Sequence, residues 1–357
     1  MPPQPHRPDA LTWQVFRGST AVRQGLLTEH QLRSGAWIRL RHDVYADARL
    51  DRDHALTCRA ALLRLPPGVM IAGPSAAYLH GVDHAATFTD EVHVLVPPQM
   101  RIGAQRGLRL HIGGADPAPP PGSAASGRRP RALDAIGRSG RAATATLDRQ
   151  PSDAGSGFPS GHHRSAGTRP SPVVLPRTSS AVVLPRTSSA QAAWETAVWL
   201  EPVRAVGIVD TLLASGLTDQ GALAAVADAN VGRPGAQRAR WVFGLADPAA
   251  QSPPESHLRV RLVLAGLPRP VAQHPVRLPT GLVLHPDLAW PRFRVAIEYD
   301  GHWHSDPDRL HTDRKRLNQL VAAGWLVLHV TSRRMQNDFP NVLREVRAAL
   351  IARGWRR

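Results

Sequence analysis

Apolar and polar positions alternate with different periods along the chain. Between Trp37 and Ala46 the run WIRLRHDVYA reads as two short β segments, Trp37–Leu40 and Val44–Ala46, around the polar turn Arg41-His42-Asp43, which predicts a hairpin. Ahead of it, residues 10–48 begin with helical material. Its clearest start is Thr28, with Gln31 three residues on as a capping-box partner, and the helix TEHQLRSG stops at Gly35. Helices followed by a basic hairpin predict a winged helix-turn-helix over residues 10–50, with Arg33, Arg39 and Arg41 placed to touch phosphates. The plainer alternative is a small helical domain whose hairpin is a lid and whose arginines are only solvated.

Residues 51–113 continue as an α/β middle section. It has an Ala/Leu helix over His54–Leu65, a Pro-Pro-Gly break, a short helix capped by Ser75 and ending at Gly81, and the alternating strand EVHVLVP. His80 and His93 read as structural histidines. From about 114 to 172 the composition shifts to Pro, Gly, Ser and Arg, with too little apolar area to offset the entropy of ordering, so this part of a low-complexity insert over 114–190 is expected to be disordered. The insert ends in a tandem repeat, VVLPRTSSA at 173–181 and again at 182–190, too short for a solenoid and read as a local duplication. Order is expected from Gln191, in a helical continuation of the middle section over 191–248: Ala192–Leu200, Pro202–Ser215 and Thr218–Ala229, then the basic segment GRPGAQRARWVFGLA.

Residues 249–357 carry the candidate chemistry. PESHLRVRLVLAG is a helix with Leu258, Leu262 and Val263 on one face and Glu255 in its first turn. Strands Val271–Leu278 and Leu282–Trp290 follow, then a turn over Pro291–Arg294 and a returning strand, Val295–Asp300. If that turn is symmetric, Asp287 lies directly across from Glu298. Cβ atoms so opposed are about 4.5–5.5 Å apart, and like charges there are destabilising unless a cation lies between them. Glu298 and Asp300 also share a strand face, because side chains alternate with period two. These hard oxygen donors suit Mg²⁺ or Mn²⁺ rather than zinc. Gly301 then allows a sharp turn, and His302 and His304 follow within reach. A metal-bound water or a histidine proton shuttle is what phosphodiester hydrolysis needs. The plainer alternative is a hairpin whose acids face solvent. A basic helix over 306–324 presents Arg314, Lys315 and Arg316, either to phosphates or simply to water. The buried strand WLVLHVT and an amphipathic helix over Phe339–Arg353 complete an α/β sandwich.

Lys and Arg outnumber Asp and Glu by 44 to 28, a formal charge of +16. The excess favours a polyanionic partner, although a GC-rich genome alone yields a similar composition. The lone Cys58 removes a disulfide framework and any cysteine-based zinc cluster, and reads as a buried helix residue. No apolar run approaches the roughly 20 residues a membrane span needs, and MPPQPHRPDA holds no signal core. The expectation is a cytoplasmic protein of several modules with no membrane partner.

The ordered series PESHLR, HPDLAWPRFRVAIEYDGHWH and DRKRLNQLVAAGWLVLHVT resembles the domain family related to very-short-patch-repair endonucleases, within the PD-(D/E)xK superfamily, over about residues 250–335. The resemblance implies a restriction-endonuclease-like α/β sandwich. In it Glu255 corresponds to the helix acid, Asp287 to the central metal ligand and Glu298 to the second acid. The usual lysine position holds Asp300, which leaves the general base to be assigned, with His304 as candidate. His329 stands where an arginine is common. QLRSGAWIRLRHDVYA with SAAYLHG resembles the winged-helix domain of abortive-infection type IV antitoxins, and LPRTSSAQAAWETAVWLEP is similar to the helix that continues that region.

The leading expectation is therefore a DNA-binding, Mg²⁺- or Mn²⁺-dependent endonuclease whose metal is held by Asp287 and Glu298. The alternative is a non-catalytic DNA-binding regulator or antitoxin with a degenerate nuclease domain. An RNA substrate and a homodimer are both left open by the sequence.

Overall fold

The computed structural model describes residues 6–113, 183–301 and 316–356. The N-terminal hairpin forms as its pattern predicts. Strands β2 (Trp37–Arg41) and β3 (Val44–Asp47) pair antiparallel, with Arg39 opposite Tyr45. A strand that the pattern reads as helical, β1 (Val15–Arg17), lies along the other side of β3, giving the order β1-β3-β2, and α1 (Gly18–Arg23) follows it directly. The Thr28–Gln31 capping box is made: Gln31 Oε1 accepts the Thr28 N–H at 2.8 Å and Thr28 Oγ1 accepts the Gln31 N–H at 3.2 Å. Yet the helix expected over TEHQLRSG is a single 3-10 turn, Gln31–Arg33, because the chain is already extended at Ser34. The tip of the hairpin is fastened inward. Asp43, left-handed at φ 60°, accepts from the Ser19 N–H and Oγ, each at 2.7 Å, and from Arg17 Nε at 3.1 Å.

In the middle section β5 (Val92–Val96) is as predicted. It pairs parallel with β6 (Leu108–Ile112) and antiparallel with the two-residue β4 (Met70–Ile71). Helix α2 (His54–Leu62) buries Cys58 and ends before Leu65, while α3 (Gly73–Leu79) begins two residues ahead of Ser75. Ser75 is therefore not a cap. Its buried Oγ accepts the His93 N–H at 2.9 Å and donates to His54 Nε2 at 2.8 Å, the His54 Nδ1–H being given to the Thr87 carbonyl. His80 does serve structure: Nε2 meets the Thr187 carbonyl at 2.8 Å.

Residues 114–182, which include the first copy of the repeat, lie outside the described residues. The second copy is built into the fold, so order resumes before Gln191. Ile71 donates to the Pro185 carbonyl and Thr187 donates back to Ile71, both at 2.9 Å, adding a bridge beside β4. Ser188 then caps α4 (Ser189–Trp199). Buried Glu195 locks this corner, accepting from the Gly73 N–H at 2.7 Å and from Thr187 Oγ1 and Gln191 Nε2 at 3.0 Å. Helices α5 (Pro202–Ala214) and α6 (Gln220–Ala229) follow nearly as predicted, and α7 (Ala236–Leu245) forms inside the basic segment.

The C-terminal part is a four-stranded sheet, β12-β11-β10-β7, between two helical layers. Helix α8 (Pro253–Leu264) precedes it. The two long strands expected over Val271–Leu278 and Leu282–Trp290 are each broken. Only β7 (Val271–Ala272) and β10 (Leu288–Trp290) join the sheet, while β8 (Val276–Arg277) and β9 (Val283–Leu284) make a separate hairpin. The first break falls at Gln273, whose φ of 51° cannot continue a strand. Strand β11 (Val295–Asp300) pairs antiparallel with β10 in the symmetric register, Leu288 opposite Ile297, and parallel with β12 (Leu326–Thr331). As the sheet's outer strand, β12 is half-buried rather than buried. Alternation sends Val295 and Ile297 toward α8 and the closing helix Phe339–Ala352. Ala296 and Ala289 face Leu320, on the helical stretch 316–322, and Trp325. All described residues belong to one compact unit and form a mixed α/β fold.

Candidate active site

The register of the sheet places four polar side chains in one row across its strands. Glu298 is opposite His329 on β12, and the β10–β11 ladder ends at Leu288–Ile297, so that the next residues are Asp287 and Glu298. On the other side β7 ends with Ala272 opposite Leu288, which brings Gln273 beside Asp287, and its N–H donates to the Asp287 carbonyl at 3.1 Å. The row thus reads Gln273, Asp287, Glu298, His329. Gln273 and Glu298 each follow the last buried apolar residue of their strand, Ala272 and Ile297, while Asp287 immediately precedes the first buried residue of β10, Leu288.

Asp287 is held from both sides. Its Oδ2 accepts the Tyr299 N–H at 2.7 Å, continuing the ladder through a side chain, and its Oδ1 accepts Gln273 Nε2 at 3.1 Å. The same amide donates to Glu255 Oε2 at 3.3 Å, so Gln273 joins two carboxylates. A glutamine in the left-handed region is costly, of order 1–3 kcal/mol, and such outliers concentrate at functional sites. Glu255 is partly occupied by local work. It accepts from the Gln251 N–H and from Ser252 Oγ, closing a capping box on α8 through the S-x-x-E spacing. Burial raises the carboxyls of both Glu255 and Asp287 above their ordinary range, the charge of Asp287 adding to the first and that of Asp300 to the second.

Glu298 is the most perturbed of the set. Burial, opposed by Arg316 and reinforced by Asp287 and Asp300, pushes its carboxyl to about 7. Arg316 NH2 lies 3.4 Å from Glu298 Oε1, a charge contact without hydrogen-bond alignment, so that this buried oxygen has no hydrogen-bond partner among the described residues. The guanidinium also donates to the His285 carbonyl. Asp300, on the same face, meets His329 Nδ1 at 3.0 Å.

The predicted carboxylates Glu255, Asp287, Glu298 and Asp300 are therefore brought together. Arg316 joins them as a partner of Glu298 rather than standing free toward solvent. His302, His304, Arg314 and Lys315 lie outside the described residues. Among the described residues no group of three or more His, Cys, Asp or Glu side chains is arranged to hold a metal ion. Gln273 escapes sequence reasoning because the 274–286 connection hides the β7–β10 register. The S-x-x-E before α8 is the signal that would have exposed the capping role of Glu255.

At the other end of the chain Arg33 and Arg39 are exposed. Arg41 is not available in the same way: its guanidinium donates to the Arg106 and Gly107 carbonyls at 3.0 and 2.9 Å, tying the hairpin to the approach to β6.

No family model matches the chain, and no solved structure does. Two uncharacterised proteins of Mycobacterium tuberculosis, MT2308 and Rv2248, one from each of two strains, are each 32% identical to it over 142 residues, 39% of this chain and 52% of the relative. The chain thus spans about half the length of the curated relatives it matches.

Proposed function

We propose that this chain is a metal-dependent DNA endonuclease, hydrolysing phosphodiester bonds at the row formed by Asp287 and Glu298, with Mg²⁺ or Mn²⁺ held by those two acids. The observation that carries the reading is Glu298 Oε1, a buried carboxylate oxygen with a charge contact to Arg316 but no hydrogen-bond partner among the described residues, and with Asp287 as its strand neighbour. Magnesium is typically held through one or two carboxylates, with water and substrate phosphates completing its shell. Two opposed acids, with no third protein donor grouped with them among the described residues, fit that demand. Bound there, the ion supplies a water of lowered pKa and charge stabilisation at the scissile phosphate. The chain's own groups do the rest. Gln273 fixes the Asp287 carboxylate, the Arg316 guanidinium offsets Glu298, and the Asp300–His329 pair offers a place to take or give a proton, with His304 the proposed base.

Supplied with plasmid and either metal, the purified protein is expected to nick DNA, and Asp287→Ala to reduce the rate by about 10²–10³-fold. DNA retarded in a gel yet uncut with both metals would overturn the catalytic reading. That outcome would favour the non-catalytic regulator, which has its own support: Gln273 and Arg316 already partner the acids, and Asp300 occupies the usual lysine position.

The hairpin is proposed to dock on duplex through Arg33 and Arg39. Removing both charges is expected to lower the slope of log affinity against log salt by about 2, at roughly 0.9 per phosphate contact. Arg41→Ala is expected to lower stability more than the slope. An unchanged slope in Arg33→Ala/Arg39→Ala, measured by fluorescence anisotropy, would move the DNA contact away from the hairpin.

A further inference from the structure

Strands β5 and β6 send Val92, Val94, Val96 and Leu108 into the middle core. Their alternate positions carry His93, Arg109 and His111, an unusual set for the second face of a small sheet. Trp199, at the end of α4, covers that face. The His111 ring lies flat on it, centroids 3.4 Å apart and planes 5° from parallel, and His93 stands 5.2 Å from His111 and 5.8 Å from Trp199. The tryptophan is tightly seated. Gly73 has φ +53°, and a Cβ there would lie 2.5 Å from the indole.

The two imidazoles are joined edge to edge, His111 Nε2 to His93 Nδ1 at 3.1 Å. Burial pushes His93 to about 3 and His111 to about 4, so both are neutral at physiological pH. One consequence holds for either tautomer. A neutral imidazole has one N–H and one lone pair. If His93 Nδ1 donates, His93 Nε2 becomes an acceptor and His111 Nδ1 a donor; if His111 Nε2 donates, the two roles exchange. The outer nitrogens, which have no hydrogen-bond partner among the described residues, therefore always offer one donor and one acceptor. Both rings line a cavity of about 570 Å³, within the roughly 300–1,000 Å³ of small-molecule sites.

The rim of this cavity is charge-balanced. Arg109 lies 3.6 Å from Glu91 and Arg204 lies 3.4 Å from Asp90, both pairs open to solvent. A balanced rim does not require an anion, though two loosely paired guanidinium groups tolerate a phosphate at the mouth. A flat aromatic wall with a hydrogen-bonding imidazole nitrogen at either end, one a donor and one an acceptor, suits a nucleobase, which stacks on aromatic rings and carries both kinds of group along its edges. We propose that this cavity binds a nucleobase, carried either by a free nucleotide or by a nucleotide turned out of a DNA strand. The site is separate from the acid row, and the inference does not depend on the nuclease reading.

Calorimetry on the full chain would use the four common nucleoside monophosphates, their nucleosides, and ribose 5-phosphate as the probe without a base. At least one nucleotide is expected to bind with a Kd between about 10 μM and 1 mM, its nucleoside within about threefold, and ribose 5-phosphate at least tenfold more weakly. His111→Phe keeps a flat ring on Trp199 but removes the donor–acceptor pair, and should weaken binding about tenfold or more at unchanged melting temperature. If that variant does not fold, His93→Phe, which likewise keeps a flat ring and removes the hydrogen bond between the two imidazoles, serves the same comparison. Equal binding of ribose 5-phosphate, no saturation by any nucleoside or nucleotide up to about 10 mM, or wild-type affinity in a folded His111→Phe protein would each overturn the assignment. A duplex with 2-aminopurine opposite an abasic site separates the two sources. Quenching by the wild type but not by His111→Phe marks a base turned out of a strand, whereas unchanged fluorescence alongside nucleotide binding marks a free ligand.

Discussion

Glu298→Gln is expected to make the protein more stable at pH 8 and to abolish its proposed nuclease activity. The carboxyl of Glu298 sits at about 7 in the folded chain, against roughly 4.3 for an unperturbed glutamate. Between those values the folded state holds a proton that the unfolded chain has released, so stability falls as pH rises through the window and stays low above it. Glutamine cannot ionise and removes this contribution. Because the side chain is 16% exposed and Arg316 offsets part of the charge, the gain at pH 8 is ~1–3 kcal/mol, with little difference near pH 4. Urea denaturation of both proteins at the two pH values checks it, the difference between them cancelling the titration of neighbouring acids. Added Mg²⁺ should then stabilise the wild type at pH 8 by mass action and leave the variant unmoved. Equal stability of the two proteins at pH 8 would mean that Glu298 carries no stored charge for a cation to relieve.

Stored charge of this kind explains why the site was partly visible in the sequence. The turn at Pro291–Phe293, with Arg294 left-handed after it, is short and symmetric, so counting outward from it placed Asp287 against Glu298, and the observed register follows that count. The N-terminal hairpin was legible for the same reason, two β-type runs around a polar turn. What was not legible depended on partners far along the chain. Strands β4 and β7 are two residues long, too short for any period to show. Arg41 looked like a phosphate contact because its carbonyl partners are 65 and 66 residues away. Ser75 looked like a cap, yet its hydroxyl is used by His54 and His93, from a different helix and a strand. The repeat read as low complexity throughout. Its second copy is nonetheless ordered, because β4 presents an unpaired edge to which Pro185 and Thr187 hydrogen-bond.

The helix that carries Glu255 is anchored to the middle section by a buried ion pair, and breaking it is expected to cause the largest loss of stability in the chain. Arg259 NH2 lies 2.6 Å from Asp210 Oδ2, with the two side chains 0% and 1% exposed, so α8 is joined to α5 through charges removed from water. Most of the pair's other polar atoms are used: the Asp247 N–H gives a 2.7 Å bond to the other Asp210 oxygen, and Arg259 NH1 donates to the Leu245 carbonyl, while the buried Arg259 Nε has no hydrogen-bond partner among the described residues. Arg259→Ala strands the carboxylate of Asp210 and opens a cavity, a loss of about 3–5 kcal/mol. Asp210→Leu with Arg259→Met replaces the pair by apolar groups of similar size, and such exchanges are often neutral or stabilising. Denaturant midpoints should therefore fall sharply in the single variant and recover in the double. A single variant within about 1 kcal/mol of wild type would show that the pair contributes no more than an exposed one. The site gives a second readout, since α8 positions Ser252 and Glu255, and through Gln273 the carboxylate of Asp287. The double variant should regain DNA cleavage together with stability if the ion pair serves only to hold α8. A stable double variant with shifted Mg²⁺ dependence would instead show that the charges of Asp210 and Arg259 reach the acid row directly.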